Sequence, residues 1–140
     1  MKYVLDTNVL LDFFIVRDKK RHDDCAKVIR KVKDGEIRGI ILGVVVAETV
    51  WVMKSVYDID RKLISKTIKP LMQMKGVEVI EKYDWSKVFG VYGETKVKFV
   101  DAMIANIKQV RERKWKVVSY DREFDKLGVI RVEPGDVVMG

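Results

Sequence analysis

Lys2-Tyr3-Val4-Leu5-Asp6-Thr7-Asn8-Val9-Leu10-Leu11-Asp12-Phe13-Phe14 is the stretch from which the fold is read. Lys2 to Leu5 predicts a short strand. Thr7 to Val16 predicts a helix, with Val9, Leu10, Phe13 and Phe14 recurring at helical spacing. Only Asp6 separates them, so the strand runs straight into a helix, as a βα unit begins. The rest of the chain repeats the alternation. Strands are expected at Ile37–Leu42, Val77–Ile80, Lys116–Ser119 and Val129–Val132. Helices are expected at Asp23–Lys33, Val45–Val56, from the Asp60 cap through Met74 (with Pro70 shortening or kinking it), after the Asp84 cap, and at Val100–Arg113. Alternating strands and helices predict an α/β fold, a three-layer α/β/α sandwich with a largely parallel central sheet.

With 140 residues, 48% of them hydrophobic and 35% charged, the chain reads as one globular domain spanning 1–140. No Pro/Gly/Ser-rich linker or repeat divides it. The N-terminal run is interrupted by Asp6 and is read as carrying no secretory leader, and no apolar run is long enough to span a bilayer. One cysteine, Cys25, excludes an internal disulfide and a multi-cysteine zinc site, which makes a reducing cytoplasm the expected location. One histidine, His22, excludes a histidine-rich metal site. The net charge of +7 favours polyanionic partners, nucleic acid first, although lysine-rich solvated faces give the same sign.

Chemistry is carried by carboxylates at element junctions. Asp6 follows the first strand and Asp121 follows the strand at Lys116–Ser119. In an open parallel sheet this edge presents the binding crevice. Glu48 is expected in the first turn of the helix after the second strand. Asp101 opens another helix among Phe99, Val100, Ala102, Met103 and Ile104, and a carboxylate buried there without a partner costs several kcal/mol on the usual scale. Each position has a plainer reading as a helix cap, a dipole partner or a turn residue. Together, four acids meeting in one crevice would repel, by roughly 4 kcal/mol for a pair 4 Å apart at an effective dielectric near 20. They would therefore take up protons or capture a cation. Hard oxygen donors select Mg²⁺ or Mn²⁺ over zinc. Such an ion can acidify a water and hold the oxygens of a phosphodiester in line.

Four blocks then stand in order: Asp6-Thr7-Asn8-Val9-Leu10-Leu11-Asp12, Val46-Ala47-Glu48, Val100-Asp101-Ala102-Met103-Ile104-Ala105 and Ser119-Tyr120-Asp121-Arg122-Glu123-Phe124. The ordered set resembles the signature of the PIN domain, and its spacing is similar to the VapC toxin branch of type II toxin–antitoxin systems. The resemblance runs to the Pro134-Gly135-Asp136 turn. It implies a Mg²⁺- or Mn²⁺-dependent endoribonuclease, often a homodimer, inhibited by an antitoxin protein. It also implies Asp6, Glu48, Asp101 and Asp121 as the catalytic, metal-holding quartet, with Asp6 and Asp101 as direct ligands. Asn8 and Ser119 match supporting positions that orient a carboxylate or a water. The last block departs from the family's frequent Asp-x-Asp-Phe, because position 123 is Glu, so Glu123 is a fifth candidate only.

Other features are read more plainly. His22, in a charged helix start, is read as surface, and Cys25 as structural. Trp51, Trp85 and Trp115 are read as core or dimer interface rather than as base-stacking rings. The clusters Arg17–Arg21 and Arg111–Lys114 are solvated faces, one of which can line an RNA groove. A ribosomal-RNA-processing nuclease and a non-catalytic binding module of the same fold remain as alternatives. Aspartyl-phosphate chemistry is disfavoured. Haloacid-dehalogenase-like phosphatases need Asp where Asn8 stands, and response regulators need an acidic pair after the first strand.

Overall fold

The computed structural model describes residues 1–139. Its apolar runs form strands buried on both faces, as a central parallel sheet requires. Val4, Leu5, Ile40, Ile41, Leu42, Val117 and Val118 are all 0% exposed. These residues lie in β1 (Lys2–Leu5), β2 (Arg38–Leu42) and β4 (Lys116–Val118), while β3 (Val77–Ile80) and β5 (Arg131–Val132) form the edges. Among the described residues the sheet has five strands, all parallel, in the order β3-β2-β1-β4-β5. The helices cover it to give the three-layer α/β/α sandwich. They are α1 (Thr7–Phe14), α2 (Lys19–Lys33), α3 (Gly43–Ser55), α4 (Arg61–Met72), α5 (Trp85–Glu94), α6 (Phe99–Ala105), α7 (Lys108–Arg111) and α8 (Pro134–Met139), with a 3-10 helix at Arg122–Leu127.

The strand order places the site. From β1 the chain steps outward to β2 and β3, then returns to β4 on the other side of β1. Loops leaving β1 and β4 therefore part in opposite directions, and a crevice opens at their carboxyl ends. Leu5 pairs with Val118 in the ladder, so Asp6 and Ser119 leave the sheet side by side.

Packing explains the remaining order. α1 packs on α2 and α3, α2 on α8, and α5 on α6. A smaller apolar cluster of Leu11, Met53, Ile64 and Ile68 ties α4 to α1 and α3. Gly76 is required where the chain enters β3, because a Cβ there would collide with the Val32 carbonyl. No helix among the described residues is long and apolar enough to cross a membrane.

Several expectations need correction. The helix expected over Val100–Arg113 is two helices, α6 and α7, separated at Asn106 and Ile107. The Asn106 side chain donates to the Ala102 carbonyl at 2.7 Å, a local bond that competes with helix continuation. Helix α2 begins at Lys19 rather than Asp23, capped by the Asp18 carboxylate on the Arg21 N–H. The Pro134-Gly135-Asp136 turn is the start of α8, with proline at the first helical position, where its missing N–H costs nothing. The last strand is only Arg131–Val132. Trp51 and Trp85 are not core: they are 63% and 50% exposed. Trp115 is half-buried beneath the Lys2 ammonium, 5.3 Å from its ring centre. His22 is half-buried too, its Nδ1 2.9 Å from the Asp12 carbonyl oxygen.

Candidate active site

Asp6 is held by the turn from strand to helix. Its Oδ1 accepts the Thr7 N–H at 2.8 Å, capping α1, while Oδ2 accepts the Ser119 hydroxyl at 2.7 Å and the Asn8 amide at 3.2 Å. Asn8 also donates to Ser119 Oγ at 3.1 Å, and its Oδ1 accepts the Tyr120 N–H at 3.3 Å. Ser119 Oγ in turn accepts the Asp121 N–H at 2.9 Å. The ends of β1 and β4 are thus stitched together by two side chains, Asn8 and Ser119, which fix the Asp6 carboxylate and the backbone of Asp121. The Asp121 carboxylate caps the 3-10 helix by accepting the Glu123 N–H at 2.9 Å.

For Asp6 and Asp121 the capping explanation is therefore correct as far as it goes. For Asp101 it fails. Asp101 sits in the first turn of α6, whose cap residue is Lys98, and none of its oxygens caps anything. It is 3% exposed, and its Oδ2 has no hydrogen-bond partner among the described residues. Burial pushes its pKa up to about 8, assisted by the charge of Asp6 and by the hydrogen-bonding range and charge of Asp121, with Lys98 opposing. Asp6 is pushed up to about 6, again by burial first. The Ser119 and Thr7 hydrogen bonds lower it, and the charges of Glu48 and Asp121 raise it.

Mutual repulsion therefore links all four acids of the expected quartet, with Asp6 at the junction. Glu48 reaches this field from the second turn of α3, not the first, because β2 passes into α3 already at Gly43. It is half-buried. Glu123 is turned to Lys126, with Nζ 3.3 Å from each of its oxygens.

The donor set is all oxygen, and a buried carboxylate oxygen stands without a partner, so the charge and chemistry of the site suit a hard divalent cation. Among the described residues no three Asp, Glu, His or Cys side chains already form a ready ligand cluster. The fit is one of charge, burial and donor type, with Asp6 fixed by its hydrogen bonds.

Two features escaped the reading of the sequence. The Thr7 hydroxyl, beside Asp6, is buried without a partner. Asp12 in α1, 1% exposed, pairs with Arg17 through Nε at 3.1 Å and Nη2 at 3.0 Å. An Asp–x–x–x–x–Arg spacing across a helix end was the available signal for the pair. Cys25 is buried and its thiol is pushed up to about 12, as a structural cysteine would be.

Comparison with known proteins agrees with this architecture. PAE2754 from Pyrobaculum aerophilum superposes with a TM-score of 0.69 at 18% identity, over 99% of this chain and 93% of that one. A structure of VapBC2 from Rickettsia felis, bound to a DNA fragment from their promoter, superposes with a TM-score of 0.62 at 16% identity, over 95% and 98%. No curated protein matches the sequence. The PIN domain profile matches residues 3–130, nearly the whole sheet and the crevice above it. The chain belongs to the PIN-domain family.

Proposed function

We propose that this chain, as one nuclease unit over residues 1–140, is an endoribonuclease that hydrolyses RNA phosphodiester bonds with Mg²⁺ or Mn²⁺, and that it is the toxin of a toxin–antitoxin pair. The observation that carries the reading is Asp101: a buried carboxylate with a free oxygen, facing Asp6 and Asp121, with nothing in the fold to justify its cost. Asp6, Glu48, Asp101 and Asp121 would hold the cation. The cation would supply an acidified water and a counter-charge for the phosphodiester. Asn8 and Ser119 keep the Asp6 carboxylate and the Asp121 backbone in register. Asp101 and Asp6 must lose their protons before the site can receive a cation, so activity rises with pH through the range from about 6 to about 8.

Membership of the PIN family supports the nuclease reading, and likeness in fold to VapBC2 supports a protein antitoxin as partner. A homodimer is supported by large apolar side chains left in solvent, Trp51, Trp85, Phe89 and Tyr92, at 63%, 50%, 58% and 48% exposure. A reducing cytoplasm is the location that the single, buried thiol supports.

The test is cleavage of single-stranded RNA by purified protein. Cutting is expected with Mg²⁺ or Mn²⁺, and none in excess chelator or with Asp6→Asn. Full cutting in chelator would overturn the reading. Ser119→Ala gives a finer result. Loss of a hydroxyl that orients a ligand costs about 10- to 100-fold in activity. Because the Ser119 bond favours the ionised form of Asp6, its removal raises that pKa further above the ordinary value. The acid limb of the pH–rate profile should therefore move to higher pH, a shift that general destabilisation would not produce.

A further inference from the structure

A cavity of ≈ 610 Å³ that the quartet does not line is bounded by Lys20, Arg21, Tyr120, Arg122 and Gly135 among others. Tyr120 and Arg122 flank Asp121 in sequence, and Asn8 ties the two regions together, accepting the Tyr120 N–H at 3.3 Å and donating to Asp6 Oδ2 at 3.2 Å. The cavity's volume is in the range of pockets that hold a nucleotide-sized ligand.

Four acids, Asp18, Asp24, Glu133 and Asp136, also line the cavity, and each already has a partner. Asp18 caps α2 on the Arg21 N–H at 2.9 Å. Asp24 binds Lys20 at 2.8 Å, Glu133 binds Arg131 at 2.9 Å, and Asp136 accepts the Glu133 N–H at 3.0 Å. Arg21 and Arg122 form no ion pair among the described residues. The Arg21 guanidinium carbon lies over the Tyr120 ring, 4.3 Å from its centre. Tyr120 is anchored at both ends, its backbone N–H donating to Asn8 Oδ1 and its ring hydroxyl 3.7 Å from the Cys25 sulfur. The arrangement is a guanidinium plane backed by a fixed aromatic ring, with the free donors of a second arginine alongside. A guanidinium plane of this kind stacks on an unpaired base, and its N–H groups bind phosphate in a planar fork.

We propose that this cavity is a binding site for single-stranded RNA, holding the nucleotide next to the bond at the acidic crevice, with its base stacked on Arg21 and its phosphate on Arg122. Only the choice of ligand rests on the nuclease reading.

The experiment measures binding rather than cutting. A fluorescein-labelled single-stranded oligoribonucleotide of about eight nucleotides, within the span a small fold covers, is titrated by anisotropy in chelator. Arg21→Ala is expected to weaken binding about tenfold, as loss of one stacked base would. Arg122→Ala is expected to weaken it and reduce the salt slope by about one. Arg21→Lys keeps the charge and should fail to restore affinity. Both arginines are exposed, so the alanine variants should melt with the wild type. Unchanged affinity in folded Arg21→Ala and Arg122→Ala, full affinity in Arg21→Lys, or no binding by the wild type would each overturn the proposal. If the wild type cuts RNA while the variants bind it normally, this site is refuted and the nuclease reading stands. Arginine-dependent binding by a wild type that never cuts gives the reverse.

Discussion

Asp101→Asn should lose RNA cleavage by roughly a thousand-fold or more, the scale of removing a group that acts at the reacting atoms. In the same variant the metal-free protein should become more stable at alkaline pH. The second half of this expectation follows from the sign of the shift. Unfolded, the Asp101 carboxyl has its ordinary pKa of 3.8; folded, it is pushed up to about 8. Between those values the folded protein holds a proton that the unfolded chain has released. Stability therefore falls as pH rises through that window and levels off above about 8. Asp6, raised to about 6, adds a decline over the lower part of the same window. Asparagine carries no charge at any pH, so Asp101→Asn removes its share of the loss. The gain should be on the order of a few kcal/mol near pH 9 and close to nothing near pH 4. Thermal melts in chelator across this range check it. An acid that served the fold would give the opposite result, with the variant less stable at every pH.

Arg17→Ala should be strongly destabilising, by about 3 kcal/mol. Asp12 is 1% exposed and the Arg17 side chain 30% exposed, so truncating the arginine leaves a buried carboxylate uncompensated. Asp12 Oδ2 stands 3.0 Å from Arg17 Nη2 without an aligned hydrogen bond, so the interaction there is largely that of charge. Arg17 also donates to the Asn8 carbonyl at 3.4 Å, which ties the end of α1 to its beginning. Urea denaturation measures the effect as a lower midpoint with an unchanged slope. Replacing both partners with apolar residues of similar volume, as in Asp12→Leu with Arg17→Met, should recover most of the loss, because no charge is then left buried. If the double variant is as unstable as the single one, the pair is more than compensation of charge.

The parts of the fold that were legible in the sequence are those set by local pattern. The short apolar runs at Val4–Leu5 and Ile40–Leu42, alternating with helical periodicity, read as strands, and the junction residue Asp6 was then expected at the sheet's carboxyl edge. What was not legible depended on contacts across the chain or on single side chains. Periodicity runs unbroken from Val100 to Arg113, and nothing in it shows that the Asn106 amide will turn back to Ala102 and divide the helix. The start of α2 was hidden because Lys19 to His22 carry no apolar face, while the Asp18 cap that starts it is a single-residue signal.

The site divides in the same way. Positions 6, 101 and 121 could be picked out as acids at the starts of elements. That Ser119 would bridge Asp6 and Asp121 follows from the register of β1 against β4, which no local pattern encodes. The stack of Arg21 on Tyr120 joins residues 99 positions apart by the pairing of α2 with the end of β4, and appears in the sequence only as one arginine among several in a basic cluster.

On the proposed function, Asp6 and Asp101 are held close together at a cost to the fold because they bind a divalent ion for RNA cleavage. Anomalous diffraction from crystals soaked in Mn²⁺ tests it most directly. A strong peak between the Asp6 and Asp101 carboxylates is expected in the wild type, and its loss in Asp101→Asn. Crystals saturated with Mn²⁺ that show no density there would contradict this reading.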